Sequence, residues 1–251
     1  MFSVNNLTDN ANLEVISELG NFKVLEHQKD LSVDPMSAQS FYFAQKMNIR
    51  KRQVLIELNG NSATVQSGAM QWSIGSVTAG TGVKGIGDFF GKAISSKVTK
   101  ESTIKPTYSG NGLVMLEPTY KHILLIDVSR WGSIVLEDGL FLACDSSLTL
   151  KTVMRSSLSS AALGNEGLFN LSLEGSGIAA LESPVAADEL VEFTLNGDEL
   201  KIDGNMAIAW SNSLNFTVEK SSKSLLGSAV NGEGLVNVYR GTGKVLMAPT
   251  V

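Results

Sequence analysis

Apolar and polar residues alternate in short runs along this chain, and the runs return in a fixed order. An apolar strand, a polar corner and a second apolar strand follow one another from Leu55 to Trp72, from Ile126 to Cys144 and from Phe193 to Trp210. Period-two alternation bounded by glycine-containing corners predicts half-buried strands joined by turns. A glycine-led run closes each stretch: Gly110-Asn-Gly-Leu-Val-Met-Leu-Glu117, Gly164-Asn-Glu-Gly-Leu-Phe-Asn-Leu171 and Gly232-Glu-Gly-Leu-Val-Asn-Val238. The corner glycines Gly68, Gly139 and Gly204 lie 71 and 65 residues apart, too long a period for a helical solenoid. The expectation is a mostly β protein of three pseudo-equivalent units, about 53–122, 123–190 and 191–251, superposing about a pseudo-threefold axis.

Residues 1–52 stand outside this pattern and predict a short α+β segment. Strands are expected around Leu13–Ile16 and Phe22–Leu25. Asp34-Pro35 then places an N-cap acid before a proline suited to a first helical turn, so a helix is expected near 36–47. Lys46, Arg50, Lys51 and Arg52 follow it and read as solvated cations opposing the helix dipole. Asn59-Gly60 and Asn196-Gly197 carry the hairpin signal of a type I′ turn. Asp138-Gly139 and Asp203-Gly204 read as corners rather than as paired catalytic carboxylates, because Ser67-Gly68 holds the matching place in the first unit.

The first unit departs from the other two in length. Gly68 to Gly112 spans 44 residues, against 28 from Gly139 to Gly167 and 30 from Gly204 to Gly234, and the excess lies in 75–106. An insertion in one unit of an array maps to a surface loop. Gly80-Thr-Gly82-Val-Lys-Gly85 matches the dinucleotide fingerprint in form only, since no βαβ unit surrounds it. Ile86, Phe89, Phe90, Ala93 and Ile94 follow helical spacing among lysines, a basic amphipathic pattern. Lys84, Ile86, Phe89, Phe90, Lys92, Ile94 and Lys97 are therefore the candidate contacts to a partner or membrane. The competing reading has Phe89 and Phe90 capping the β-core, with Gly87 and Gly91 weakening any helix.

Composition narrows the class further. With 251 residues, 24 glycines and a net charge of −5, the chain can bury a core but is not basic throughout, as a nucleic-acid footprint would be. One cysteine excludes an internal disulfide, and the Met1-Phe2-Ser3 start lacks a secretory signal, so a cytoplasmic location is expected. No run of 18 apolar residues predicts a spanning helix. His27 and His122 have no metal-ligand spacing, Cys144 sits in an apolar run, and no Gly-x-Ser-x-Gly elbow occurs. No catalytic residue, metal or cofactor is expected. Trp72 and Trp210, with Cys144 between them, read as repeated core positions.

Gly139-Leu-Phe-Leu-Ala-Cys-Asp-Ser-Ser-Leu148, Gly164-Asn-Glu-Gly-Leu-Phe169, Ala209-Trp-Ser-Asn-Ser-Leu214 and Gly232-Glu-Gly-Leu-Val236 resemble bacterial members of the altered-inheritance-of-mitochondria 24 family. The resemblance covers roughly 50–251 and implies a fold like that of the tryptophan RNA-binding attenuation protein, a β-sandwich or double-stranded β-helix repeated within the chain. Eukaryotic relatives are associated with the mitochondrial inner membrane; no catalytic residue carries over. The expected function is a non-enzymatic scaffold or binding protein that engages a partner protein or a membrane surface. The alternative is a module for a small ligand or RNA, although nucleic acid fits the charge poorly. Self-association and a peripheral place at the membrane are compatible with both.

Overall fold

The structure is a computed structural model that describes residues 2–80, 105–154, 169–220 and 235–250. These residues are mostly strand. The N-terminal segment gives β1 (Leu13–Leu19), β2 (Phe22–His27) and helix α1 (Ala38–Lys46). There follow β3 (Arg52–Val65), β4 (Met70–Gly80) and β5 (Thr107–Leu116). Next come β6 (His122–Asp127), β7 (Ser133–Leu136), β8 (Phe141–Asp145), β9 (Thr149–Met154), β10 (Phe169–Glu174) and β11 (Ile178–Ser183). The last strands are β12 (Val191–Asp203), β13 (Ala207–Ser211), β14 (Asn215–Lys220) and β15 (Leu235–Met247).

They form two antiparallel sheets. One runs β1-β2-β3-β8-β11-β6, with β5 on β3 and β4 on β5; the other runs β12-β15-β13-β7-β10-β9, with β14 on β15. A single arrangement recurs. The closing strand lies between the two that open the unit: β5 between β3 and β4, β11 between β6 and β8, β15 between β12 and β13. Gly68, Gly139 and Gly204 all sit in the turn between those opening strands, with φ of 80°, 81° and 57°.

Three sequence expectations change in detail. Asn59-Gly60 and Asn196-Gly197 are not hairpin turns. Both lie inside continuous strands, at register shifts between Asn59 and Ser62 and between Asn196 and Asp198. The positive φ that the pair favours serves here to bulge and bend a long strand.

The glycine-led runs also correspond differently. Gly112 faces Leu58, two residues before the bulge glycine Gly60, and Gly243 faces Leu195, two before Gly197. The counterpart of Gly110-Asn-Gly112 is therefore Gly241-Thr-Gly243, not the run from Gly232. Backbone crowding explains the requirement: a Cβ on Gly110 would lie 2.0 Å from the Ser76 carbonyl oxygen, and one on Gly243 would lie 2.8 Å from Ser211 Cβ.

The tryptophans are offset by one position. Trp72 faces Met115, and the matching position in the third unit is Ala209, which faces Leu246; Trp210 matches Ser73. Trp210 stands one position further along its strand than Trp72, and a step of one sends the side chain to the opposite face. Trp210 stacks with Phe216 and meets Tyr239 edge-on in a buried cluster, whereas Trp72 is half-buried beside Leu25, Leu55 and Met115.

Two joints hold the units together. At the first, Ala63, Thr64 and Val65 of β3 pair with Asp145, Cys144 and Ala143 of β8. At the second, Ile134, Val135 and Leu136 of β7 pair with Ser211, Trp210 and Ala209 of β13. Each joint ends the same way. Gln66 N–H donates to the carbonyl of the bulged Leu142 (2.8 Å), and Glu137 N–H to that of the bulged Ile208 (2.9 Å); Ser146 donates to Ser62 (3.0 Å) and Asn212 to Ser133 (3.1 Å). Leu136, Leu140, Phe141, Cys144, Leu181 and Ile208 form the largest apolar cluster around these joints.

Candidate functional site

Chemistry that stands out from the β-body gathers at the N-terminal appendage. β2 pairs with β3 from Arg52 to Ile56 and so extends the sheet, while α1 lies beyond its end. Positive φ at Asn48 (61°) turns the chain back after the helix. There a buried arginine fastens the helix end to the sheet. Arg52, 1% exposed, donates from Nε to Glu26 Oε2 (2.9 Å) and from Nη2 to the Asn48 carbonyl (3.0 Å) and Asn48 Oδ1 (2.9 Å). Glu26 also takes Arg50 Nη1 at 2.9 Å. A buried charge pair is tolerated only when its hydrogen-bonding positions are filled, as they are on this guanidinium.

The cations expected to be solvated are thus largely consumed within the fold. Lys51 pairs with Asp30 at 2.8 Å, and Asp30 also accepts from Tyr120 Oη (2.7 Å) and Ser32 Oγ (2.6 Å). The hydrogen bonds from Lys51 and Ser32 hold the Asp30 carboxyl well below the usual range.

Helix α1 buries none of its residues. Phe41 leans on Tyr120, with ring centroids 6.3 Å apart. Its neighbours face water: Met36 is 92% exposed, Met47 76%, Phe43 58% and Tyr42 56%. Phe41-Tyr-Phe43 places aromatics on successive helical positions, so one face against the body cannot hold them all. That run, flanked by Met36 and Met47, is the sequence signal for this exposed surface.

Beside this appendage lies a cleft of about 580 Å³ between the β1-β2 hairpin, β6 and the C-terminal end of β15. Ile16, Leu19, Leu125 and Trp131 supply apolar wall; His122 and Lys244 supply polar edge. Burial, then the nearby Arg52, lowers the His122 pKa.

Elsewhere the reactive groups are engaged. Cys144 is fully buried, and desolvation pushes its thiol up to about 12, which suppresses the nucleophilic thiolate. His27 Nε2 hydrogen-bonds Gln53 Oε1 at 2.9 Å. Among the described residues no three His, Cys, Asp or Glu side chains gather as a metal site, and no helix is long and apolar enough to cross a membrane. The sequence candidates Lys84, Ile86, Phe89, Phe90, Lys92, Ile94 and Lys97 lie outside the described residues.

The model of the family described as Mitochondrial biogenesis AIM24 matches residues 45–250. The chain belongs to this family. The match takes in the whole β-body and leaves out β1, β2 and nearly all of α1. An uncharacterized protein of Streptococcus pyogenes serotype M6 is 30% identical over 202 residues, covering 76% of this chain and 79% of that one. A crystal structure of a Streptococcus pyogenes protein superposes with a TM-score of 0.57 at 28% identity, covering 81% of this chain and 89% of the other. That likeness agrees with a shared β fold.

Proposed function

We propose that this AIM24-family chain is a non-enzymatic binding protein, in which three copies of one β-unit form the body and the N-terminal helix docks a partner protein. The exposed apolar set at α1, made by Met36, Tyr42, Phe43 and Met47, carries this reading. Apolar surface gathered on one element marks an interaction site. The family match begins at residue 45, so the helix is an addition to the common body. A protein partner is favoured over anionic lipid because Arg50, Lys51 and Arg52 are held by Glu26 and Asp30. The buried thiol and the hydrogen-bonded or desolvated histidines support a role without catalysis. The recurring strand order, the bulges and the two like joints support the three-copy reading.

Affinity capture from the native cell, with and without detergent, tests the docking helix when wild type is compared with a Phe43→Ser/Met47→Ser variant. Wild type should retain a stoichiometric protein under both conditions, and the variant should lose it without a change in melting temperature. Capture that survives the substitutions, or that needs intact membrane, overturns the reading. A second reading, small-ligand binding, rests on the cleft beside His122; a ligand that raises the melting temperature of wild type but not of a Leu125→Arg variant would favour it.

A further inference from the structure

We infer that copies of this chain join head to tail, the outer edge of β4 in one copy pairing with the outer edge of β12 in the next. The inference rests on the three-copy reading, and it follows from a count of joints. Three units in series could make three joints if each supplied one giving and one receiving edge. Two are made inside the chain, β3 with β8 and β7 with β13. The remaining receiving edge is β4, the first unit's equivalent of β8 and β13. The remaining giving edge is the second half of β12, the equivalent of the ends of β3 and β7. Among the described residues, neither outer edge pairs with another strand.

Burial follows the same division. β8 and β13 are buried almost throughout, as are Ala63–Val65 and Ile134–Leu136. Gln71, Ser73, Glu199 and Lys201, at matching places, are exposed. A strand of 11 residues and one of 13, both without proline, present unfilled backbone donors and acceptors to water. Such edges are templates for pairing with another chain.

The two existing joints fix the register of the third. Trp72 should face Ile202 of the next copy, Ser73 should face Lys201 and Ile74 should face Leu200. By analogy with Gln66 to Leu142 and Ser146 to Ser62, Asp203 N–H should donate to the Gln71 carbonyl and Gly75 N–H to that of Glu199. Ser73 and Lys201 take the places of Cys144 and Thr64, which exchange the central pair of bonds. The contact uses different surfaces on its two sides, so it continues from copy to copy and closes into a ring or extends as a filament.

Sedimentation of the full chain at micromolar concentration, with Ser73→Pro and Lys201→Pro, tests this. Proline removes one outward donor and blocks one edge. Wild type should sediment as an assembly, and each variant alone as a monomer. An equimolar mixture should give a dimer and nothing larger, because one free β12 edge meets one free β4 edge. A monomeric wild type, a variant that still assembles alone, or a mixture that stays monomeric overturns the inference. Should a proline variant unfold, Ser73→Lys sets an ammonium against Lys201 and should weaken assembly about tenfold, with Lys201→Glu in the same chain restoring it. The three-copy reading is judged separately, by amide exchange at Cys144 and Trp210. Comparable protection at both joints is expected in monomer and assembly alike; exchange at one with protection at the other counts against the repeat.

Discussion

β13 and β4 hold the same place in their units and live in opposite surroundings. All five residues of β13 are buried, whereas β4 alternates between half-buried and exposed along its length. Both pair with a closing strand on one side, so the contrast comes from the other side, where β7 covers β13 and no described strand covers β4. The sequences differ accordingly. The bulged position is Ile208 in β13 and Leu142 in β8, 3% and 6% exposed, but Gln71 in β4, where the side chain accepts from Gln53 Nε2 at 2.9 Å. Ser73, Ser76 and Thr78 continue the polar edge. The joint, more than the strand's own propensity, sets how apolar the strand must be.

The largest effect should come from placing one charge at both members of this pair. Leu142→Asp puts an unpaired carboxylate into the closed joint and should cost about 3–5 kcal/mol, read as a lower urea midpoint. Gln71→Asp at the matching open edge should stay within about 1 kcal/mol, since water reaches it and one hydrogen bond is lost. Equal losses at the two sites would erase the distinction between closed joint and open edge.

A smaller difference is expected between two glycines of the first unit. Gly68 turns the corner with open space where a Cβ would stand, so Gly68→Ala should cost only its strained φ, about 1 kcal/mol. Gly110 lies where β5 approaches β4, and an added Cβ there meets the Ser76 backbone. Gly110→Ala should cost about twice as much or more, because the two strands must separate. If both substitutions behave alike in thermal melts, the close approach is not a determinant of the β4-β5 pairing.

Fold class was legible because alternation and corner glycines act locally: Gly68, Gly139 and Gly204 mark the turns as the sequence pattern requires. Correspondence between closing strands was less legible. Gly-Leu-Val describes how strands begin, whereas the equivalence of Gly110-Asn-Gly112 with Gly241-Thr-Gly243 depends on which backbone crosses nearby. Asn-Gly reports a need for positive φ but not whether a turn or a bulge uses it. At the appendage, Asp34-Pro35 disclosed the helix but not its start: the Asp34 carboxylate accepts from Met36 and Ser37 in the turn before it, and α1 begins at Ala38 with Ser37 at its N-cap. The clamp of Arg52 on Glu26 joins residues 26 apart and leaves no local trace, so a buried ion pair read as solvent-facing charge.

Thiol chemistry gives the smallest perturbation and the sharpest local comparison, since Cys144 and Ser73 hold equivalent places. Cys144 has a thiol raised to about 12 by burial. At pH 8 its thiolate fraction is on the order of 10⁻⁴, against roughly a quarter for an unperturbed cysteine near 8.5. A Ser73→Cys chain carries both thiols in one molecule, and exposure at Ser73 means the substitution should leave stability within about 0.5 kcal/mol. Mass spectrometry after brief treatment with iodoacetamide should find label at Cys introduced in place of Ser73 and none at Cys144. Raising the pH from 7 to 9 should accelerate the first and leave the second unlabelled, because the thiolate forms only as pH climbs towards each group's own pKa. Denaturant should then make both react alike. Labelling of Cys144 in the native state at pH 8 would mean that the joint between β3 and β8 opens, and the contrast between β4 and its buried counterparts would be one of degree.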